Sequence, residues 1–297
     1  MKLKQLLTAI KYRAEQVPDV DITDLVYDSR KAVPGCAFVC LRGANADGHK
    51  YAKMAAEKGA AVIIAEEIVE APVPVILTEN TRLALAYLSA EFFGHPAEQM
   101  HVIGITGTKG KTTTAFMMRS ILEAAGHKTG VIGTIGVLYG DTLVQTDNTT
   151  PENYEVQKFM RQMVDAGCEC CVMEVSSIGL KDHRVAGFTF ELGLFTNFSE
   201  DHIGGAEHKD MADTWRAKAC YSACAAPASS ISMTRIIPAS SKIIRAILLP
   251  TATINRPICC AWGRARYNTG FSRRALLRHR QAEFYCGCRH PRQVQRL

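Results

Sequence analysis

The most constraining feature of the sequence is the junction at residues 100–126, where an apolar segment passes through a glycine-containing turn into a segment with helical spacing. Residues 100–106 (MHVIGIT) have the length and composition of a buried strand. Residues 111–126 have the periodicity of a helix and end at Gly126, a typical C-cap. This order predicts one crossover unit of a parallel α/β sheet, with the helix N-terminus beside the carboxyl end of the strand.

The turn between them, residues 107–110 (GTKG), has the chemistry of a phosphate-binding loop. In the usual pattern, GxxxxGK[ST], backbone amides surround the phosphates, the lysine reaches the outer ones and the hydroxyl holds Mg²⁺. Gly110, Lys111 and Thr112 match this pattern, whereas Ile105 stands where the first glycine belongs. The strand before the turn and the helix after it favour a phosphate site, and a turn that binds no ligand is the alternative.

The same alternation of strand-like and helical runs extends to both sides of this junction. It covers residues 1–95 and resumes over residues 129–198, and the segment 94–99 (GHPAEQ) has the composition of a linker. The chain is therefore predicted to contain two α/β units, the second of the doubly wound parallel type.

Two later segments place ionisable residues at or just after the carboxyl ends of predicted strands, which lie side by side in a parallel sheet. The run VMEVSS at residues 172–177 ends a buried strand in Glu174, the position at which a phosphate-loop protein places an acid that directs Mg²⁺. Residues 195–204 (FTNFSEDHIG) follow a strand and contain His202. A lone histidine is more often a surface residue than a ligand, so His202 alone predicts no metal site.

Further polar loops carry little information by themselves. Residues 147–151 (DNTTP) predict a polar turn before a helix, with Thr150 as the N-cap and Pro151 at the first helical position. Within residues 26–64, the triplets DSR and DGH are polar loops beside strands. Each of these segments is compatible with a purely structural role.

Taken together, the segments resemble the Mur ligase family, the ATP-dependent amide-forming enzymes that build the peptidoglycan stem peptide. The TGTxGKTT spacing of the loop and the later TTP, MEVSS and DH segments occur in the family's order and at its approximate spacing, and residues 26–64 are similar to the uridine-nucleotide-binding domain of the member that adds the third stem-peptide residue. The resemblance covers residues 1–213. It implies an α/β uridine-nucleotide-binding domain over residues 1–95, followed over residues 96–213 by an incomplete P-loop ATPase domain with a doubly wound parallel sheet.

The resemblance also implies roles for individual residues. The implied ATP-binding residues are Thr106, Gly107, Thr108, Lys109, Gly110, Lys111 and Thr112. The implied substrate-binding residues are Ser29, Asn148, Thr149, Thr150, Ser176 and Arg184. The implied catalytic residues are Lys111, Glu174, His202 and Lys218, with Thr112, Glu174 and His202 as Mg²⁺ ligands and Lys218 as a carbamylated lysine. Members of the family often carry Gln two residues before the arginine, where this chain has Asp182.

The implied reaction joins a diamino acid to UDP-N-acetylmuramoyl-L-alanyl-D-glutamate, with ATP as co-substrate, Mg²⁺ as cofactor and an acyl phosphate as intermediate. The sequence leaves open whether the diamino acid is meso-diaminopimelate or L-lysine. No apolar run reaches the roughly 18 residues that a membrane span needs, and the N-terminus has no signal-peptide pattern. The chain is therefore expected to be cytoplasmic and to have no membrane span. We also expect a monomer that has no nucleic-acid partner.

The composition changes abruptly after Asp213. Residues 1–213 carry a net charge of −8 and residues 214–297 a net charge of +14, and the latter segment contains the single acid Glu283. It has no clear helical or strand period and does not match the family's third domain. Two alternatives follow from other features: a nucleic-acid-binding protein that uses the basic tail, and a sibling ligase such as folylpolyglutamate synthase, which would share the phosphate loop but not the DSR and DGH region.

We hypothesise that a change of reading frame produced this tail. When the third base of each codon is combined with the first two of the next, residues 214–222 permit Met-Ala-Cys-Lys-Ser/Gly-Met-Leu-Phe and residues 229–235 permit Val-Asn-Ile-Asp-Asp-Pro, both of which resemble family segments. The hypothesis predicts a poorly packed, non-homologous tail at residues 214–297, no third ligase domain, and a chain that binds nucleotide and UDP-substrate without ligation.

Overall fold

The structure of the chain is a computed structural model that describes residues 1–43 and 46–197, together with the backbone of a short strand at residues 230–232. The α-helices of these residues are α1 (Leu3–Leu6), α2 (Ala52–Glu57), α3 (Thr81–Phe92), α4 (Lys111–Ala124), α5 (Asn153–Asp165) and α6 (Ser177–Lys181). The strands are β1 (Leu25–Val26), β2 (Ala37–Val39), β3 (Val62–Ala65), β4 (Val75–Leu77), β5 (His101–Thr106), β6 (Thr129–Gly133), β7 (Gly136–Tyr139), β8 (Thr142–Val144), β9 (Cys170–Glu174), β10 (Leu192–Phe195) and β11 (Ser230–Ser232).

The first sheet is parallel throughout, in the order β1-β2-β3-β4. Successive residues of its strands point to opposite faces, so that Ile64 packs with Leu85 and Leu88 of α3, while Ile63 packs with Ala52 and other residues on the α2 side. Both faces of the sheet are thus covered, which explains why its strands are continuous apolar runs in the sequence.

The second sheet has the order β11-β10-β5-β9-β6-β7-β8, and its five strands from β11 to β6 are parallel. The predicted strand and helix at the central junction are confirmed as β5 and α4, and Gly126 after the helix has a φ of 94°. Strand β5 lies between β10 and β9, so the carboxyl ends of three neighbouring strands meet where α4 begins.

The sheet departs from the predicted all-parallel type at one edge. Strands β7 and β8 run antiparallel to their neighbours. The physical reason is the short connections, since only Thr134 and Ile135 separate β6 from β7, whereas a parallel return needs a crossover of about a dozen residues or more. The structure also places β11 beside β10, in a segment for which the sequence predicted no strand period.

The five cysteines of the described ranges are buried and free. Burial raises the pKa of the Cys40 thiol to about 12, so this thiol behaves as a small apolar side chain. Across residues 1–43 and 46–197, no helix combines the length and apolar character that a membrane crossing requires.

Candidate functional site

The glycines of the turn after β5 are required by its backbone. Gly107 has a φ of 142°, and a Cβ at this position would overlap the hydroxyl of Thr196. Gly110 has a φ of 85° and is the N-cap of α4. The loop therefore runs close to β10 and turns sharply into the helix, which leaves the first amides of α4 at the open edge of the sheet.

The loop is also held from outside by the residue that follows β10. The backbone carbonyl of Asn197 accepts a hydrogen bond from the amide of Thr108 (3.0 Å), and its side-chain oxygen accepts one from the amide of Lys109 (3.0 Å). The side-chain nitrogen of Asn197 donates to the carbonyl of Lys109 (2.9 Å). The sequence analysis missed this contribution because it assigned a role only to His202 in the same segment.

Lys111 lies over the loop. Its ammonium nitrogen donates to the carbonyls of Gly107 (2.9 Å) and Thr108 (3.2 Å). The position is at the N-terminal end of α4, where the helix dipole disfavours a cation and favours an anion. A lysine at such a position, together with the first amides of a helix, forms a suitable site for phosphate oxygens.

Glu174 is the buried acid at this edge of the sheet. It is 1% exposed and ends β9, next to β5. Its Oε2 accepts a hydrogen bond from the Thr112 hydroxyl (2.9 Å) and its Oε1 accepts one from the amide of Thr134 (3.0 Å). Gly133 makes room for this carboxylate, because a Cβ there would overlap Oε1.

A carboxylate and a hydroxyl beside a phosphate loop are hard oxygen donors of the kind that Mg²⁺ prefers. Thr112 and Glu174, which the sequence analysis assigned to the metal, are within hydrogen-bond distance of each other and fit such a role. His202 and Lys218 lie outside the described residues.

Thr150 lies beneath this site. It is fully buried, its hydroxyl donates to the carbonyl of Glu174 (3.0 Å), and it accepts from the amide of Ser176 (2.9 Å). The predicted N-cap role is wrong, because α5 begins at Asn153 and Glu152 is its N-cap residue. Thr150 instead joins the polar loop to Glu174 at the end of β9 and to Ser176, the N-cap residue of α6.

The other predicted substrate residues lie on two separate parts of the molecule. Thr149 is half-buried and lies 3.0 Å, oxygen to oxygen, from the Thr134 hydroxyl. The Ser176 hydroxyl accepts from the amide of Gly179 (3.0 Å) and caps α6, and Asn148 is exposed. Ser29 is buried in a short 3₁₀ helix beside the first sheet and is not brought to the phosphate loop.

Arg184 belongs to a cluster of four charges between α3 and the loop that precedes α5. Its guanidinium pairs with Glu152 (3.1 Å) and Asp182 (3.2 Å) and donates to the carbonyl of Thr150 (3.1 Å). Arg82 of α3 pairs with the same two acids, at 3.4 Å and 3.9 Å. The sequence analysis missed Arg82, which is separated from its partners by many residues along the chain.

Two tyrosine–carboxylate hydrogen bonds lie between β1 and α5. The Tyr27 hydroxyl donates to Glu155, and the Tyr154 hydroxyl donates to Asp24 (2.7 Å). Burial raises the pKa of Glu155 above the ordinary range of a glutamate, so its charged form is disfavoured in the folded protein.

A second group of polar residues, Asp47, His49 and Glu67, has the spacing of a metal site. The hydrogen bonds of the buried histidine argue against that role. Nε2 of His49 accepts from the amide of Glu66 (3.0 Å), so the ring proton is on Nδ1, which donates to Asp47 (2.6 Å). Since neither ring nitrogen offers a lone pair to a cation, this histidine holds the DGH loop against the sheet.

Comparison with known proteins gives two family matches. Residues 105–226 match the Mur ligase middle domain, and residues 21–93 match the model described as "Mur ligase family, catalytic domain". The first match extends beyond residue 213 and includes both His202 and Lys218.

Curated relatives agree with this assignment. The chain is 46% identical over 222 residues to the UDP-N-acetylmuramoyl-L-alanyl-D-glutamate–2,6-diaminopimelate ligase of Bacillus licheniformis, an alignment that covers 73% of this chain and 45% of the relative. The enzyme of the same name from Clostridium perfringens is 44% identical over 221 residues, with the same coverage. The chain thus spans about half the length of the curated relatives that it matches.

Solved structures have the same fold. MurF from Acinetobacter baumannii is similar with a TM-score of 0.56 and 25% identity, over 77% of this chain and 48% of that one. A UDP-N-acetylmuramoyl-L-alanyl-D-glutamate–2,6-diaminopimelate ligase is similar with a TM-score of 0.63 and 21% identity, over 74% and 44%. With the phosphate loop, the buried acid of β9 and both domain matches in one chain, the protein belongs to the Mur ligase family.

Proposed function

We propose that this chain carries the ATP-binding and UDP-substrate-binding parts of a ligase that adds a diamino acid to UDP-N-acetylmuramoyl-L-alanyl-D-glutamate. The observation that carries the proposal is the hydrogen bond between Thr112 and Glu174 beside the phosphate loop, since it pairs the two oxygen donors that a nucleotide-bound Mg²⁺ requires. The names of the curated relatives support the choice of substrate.

In the proposed reaction, a D-glutamyl carboxylate oxygen bonds to the γ-phosphorus of ATP, the bond from that phosphorus to the bridging oxygen breaks, and ADP leaves. The amine of the diamino acid then bonds to the acyl carbon and loses a proton, while phosphate leaves. Lys111 and the first amides of α4 hold the outer phosphates in line for the attack. Mg²⁺, when bound by Thr112 and Glu174, would supply positive charge next to the phosphates.

The remaining assignments are part of the same proposal. His202 completes the Mg²⁺ ligands, and Lys218, in carbamylated form, supplies a further carboxylate; both roles come from the resemblance to the family. Residues 1–95 hold the uridine nucleotide and residues 96–213 hold ATP. The protein acts in the cytoplasm as a monomer, and the diamino acid is meso-diaminopimelate or L-lysine.

A second candidate function is favoured by the change of net charge from −8 to +14 after Asp213. In this alternative the chain is the product of a frameshifted ligase gene, binds ATP and the UDP-substrate, and forms no amide. The coding DNA tests it directly. Stop codons in the neighbouring frame after codon 213 would contradict it, whereas an open frame that encodes the third ligase domain would support it.

The proposed function is tested by three measurements on the full chain: binding of Mg²⁺-ATP, binding of UDP-N-acetylmuramoyl-L-alanyl-D-glutamate, and ATP-dependent incorporation of either diamino acid. We expect both ligands to bind to the wild-type chain. A chain that binds neither ligand would contradict the proposal, and binding without incorporation would favour the second candidate. UDP-substrate binding that survives deletion of residues 1–95 would contradict the proposed place of the uridine nucleotide.

A further inference from the structure

Thr134 lies between the candidate metal site and the polar loop, and nothing in its local sequence marks it out. It is the first residue after β6 in the two-residue connection to β7, and it is exposed to solvent. Its backbone amide donates to Oε1 of Glu174 (3.0 Å), and its hydroxyl lies 3.2 Å from Oε2 of the same carboxylate. The hydroxyl also lies 3.0 Å from that of Thr149.

The direction of these hydrogen bonds follows from the chemistry of the groups. A carboxylate only accepts, so the single hydroxyl proton of Thr134 is directed to Glu174. Thr149 then donates its own proton to the oxygen of Thr134. The result is a chain of hydrogen bonds from the polar loop to the acid of β9, which the Thr112 hydroxyl approaches from the phosphate loop.

The backbone is shaped to allow this contact. A Cβ at Gly133 would overlap Oε1 of Glu174, so the connection after β6 can approach the carboxylate only because residue 133 is a glycine. Both carboxylate oxygens are therefore fixed, Oε1 by an amide and Oε2 by two hydroxyls. Outer partners of this kind set the orientation of a metal-binding carboxylate.

We propose that Thr134 is a positioning residue that orients Glu174 for Mg²⁺ and connects it to Thr149, so that Mg²⁺-ATP and the UDP-substrate change each other's affinity through this hydroxyl. The inference rests on the proposed function, because it assigns Glu174 to the metal and Thr149 to the substrate loop. Thr134 need not touch either ligand for this role.

The test compares the affinity for ATP in the presence of Mg²⁺ and in the presence of EDTA, by calorimetry on the full chain. Thr134→Val removes the hydroxyl and keeps the shape, Thr134→Ser keeps the hydroxyl, and Thr142→Val on β8 is the matched control at an exposed threonine. We expect Thr134→Val to weaken Mg²⁺-ATP binding about tenfold without changing binding in EDTA, and Thr134→Ser to restore it to within about threefold.

A second variant tests the connection to the substrate loop. At saturating UDP-N-acetylmuramoyl-L-alanyl-D-glutamate, Thr149→Val should reduce the effect of this substrate on the Mg²⁺-ATP affinity, because the hydrogen bond to Thr134 is lost. An effect equal to that in the wild-type chain would contradict the connection. This variant also keeps the inference testable if Thr134→Val does not fold.

The outcomes separate the inference from the proposed function. A wild-type chain that does not bind Mg²⁺-ATP overturns both. Normal binding in wild type together with equal Mg²⁺-ATP affinity in Thr134→Val overturns the inference alone. An equal loss with and without Mg²⁺ also overturns it, because it indicates general damage to the phosphate loop.

Discussion

Two lysines of this chain make the same contact in opposite electrostatic surroundings. Lys111 donates to the loop carbonyls of Gly107 and Thr108, and Lys58 donates to those of Ser29 (3.1 Å) and Arg30 (3.3 Å). Lys58, however, is the C-cap residue of α2, where a cation is favoured, whereas Lys111 begins α4, where a cation is disfavoured.

From this difference we propose that Lys58 contributes to stability and Lys111 to ligand binding. Lys58 completes the hydrogen bonding of a loop at the end of a helix, so its position stabilises the fold. Lys111 adds positive charge to the positive end of a helix dipole, a position that favours the binding of an anion. We therefore propose that the same side-chain contact is structural beside the first sheet and belongs to a ligand site beside the second.

The largest effect on stability and ATP binding is expected from Gly107→Ala, because this substitution disrupts the loop that Lys111 contacts. The added methyl group would overlap Thr196 and the φ of 142° disfavours alanine, so we expect a loss of roughly 3 kcal/mol or more of stability and no phosphate binding. Urea unfolding and ATP calorimetry measure the two effects. Gly126→Ala, with a φ of 94° and open space around it, should cost only about 1 kcal/mol.

Replacing each lysine with alanine separates an effect on ATP affinity from an effect on stability. Lys111→Ala should weaken ATP binding about 10- to 100-fold, since the lysine's charged hydrogen bonds to the outer phosphates are lost, and should leave stability unchanged or raised. Lys58→Ala should lower the midpoint of urea unfolding and leave ATP affinity unchanged. Equal ATP affinity in wild type and Lys111→Ala would show that the loop does not bind phosphate.

A smaller loss of stability is expected when one cation is removed from an ion pair. Arg82→Gln leaves Glu152 and Asp182 with one cation, Arg184, and should cost about 1–2 kcal/mol because the cluster is largely shielded from water. Arg30→Gln, which removes a highly exposed guanidinium paired with Asp28 beside the first sheet, should leave stability unchanged within error. Similar urea midpoints for both variants would contradict the assigned difference in shielding.

The smallest expected effect is on the pH dependence of the free energy of unfolding. Burial raises the pKa of Glu155 above its ordinary value of 4.5, so the folded chain holds a proton there that the unfolded chain has lost. The stability from this group is present below pH 4.5 and is lost as the pH rises through the raised pKa. Glu155→Gln should flatten that decline in urea titrations from pH 4 to pH 8, whereas the same change at exposed Glu123 should not.

The elements that depend on local pattern could be predicted, and those that depend on distant partners could not. Strand β5, helix α4 and the glycines of the loop follow from apolar length, periodicity and turn chemistry. Thr150 was expected to cap the next helix because it precedes a proline, but its hydroxyl bonds the end of β9 instead. The antiparallel strands β7 and β8 were missed because they are short, and their direction is set by connection length.

In the candidate site, too, residues at the ends of predicted elements could be inferred from the sequence, and residues defined by distant partners could not. The roles of Thr112 and Glu174 were inferred from the ends of a helix and a strand, and the structure brings their side chains together. Thr134, Asn197 and Arg82 were missed because their partners lie on other elements. Position along the chain gives no signal for such contacts.

The hydrogen bonds from Asn197 to the phosphate loop have a consequence for binding entropy. Two amides and one carbonyl of the loop are fixed from β10's side of the sheet, so the loop is ordered before a ligand arrives. Ordering the backbone of a free loop would cost about 1–2 kcal/mol per residue at the moment of binding. This preorganisation removes most of that cost, so the phosphate affinity that we propose for this loop would depend mainly on charge, at Lys111 and along the first turn of α4.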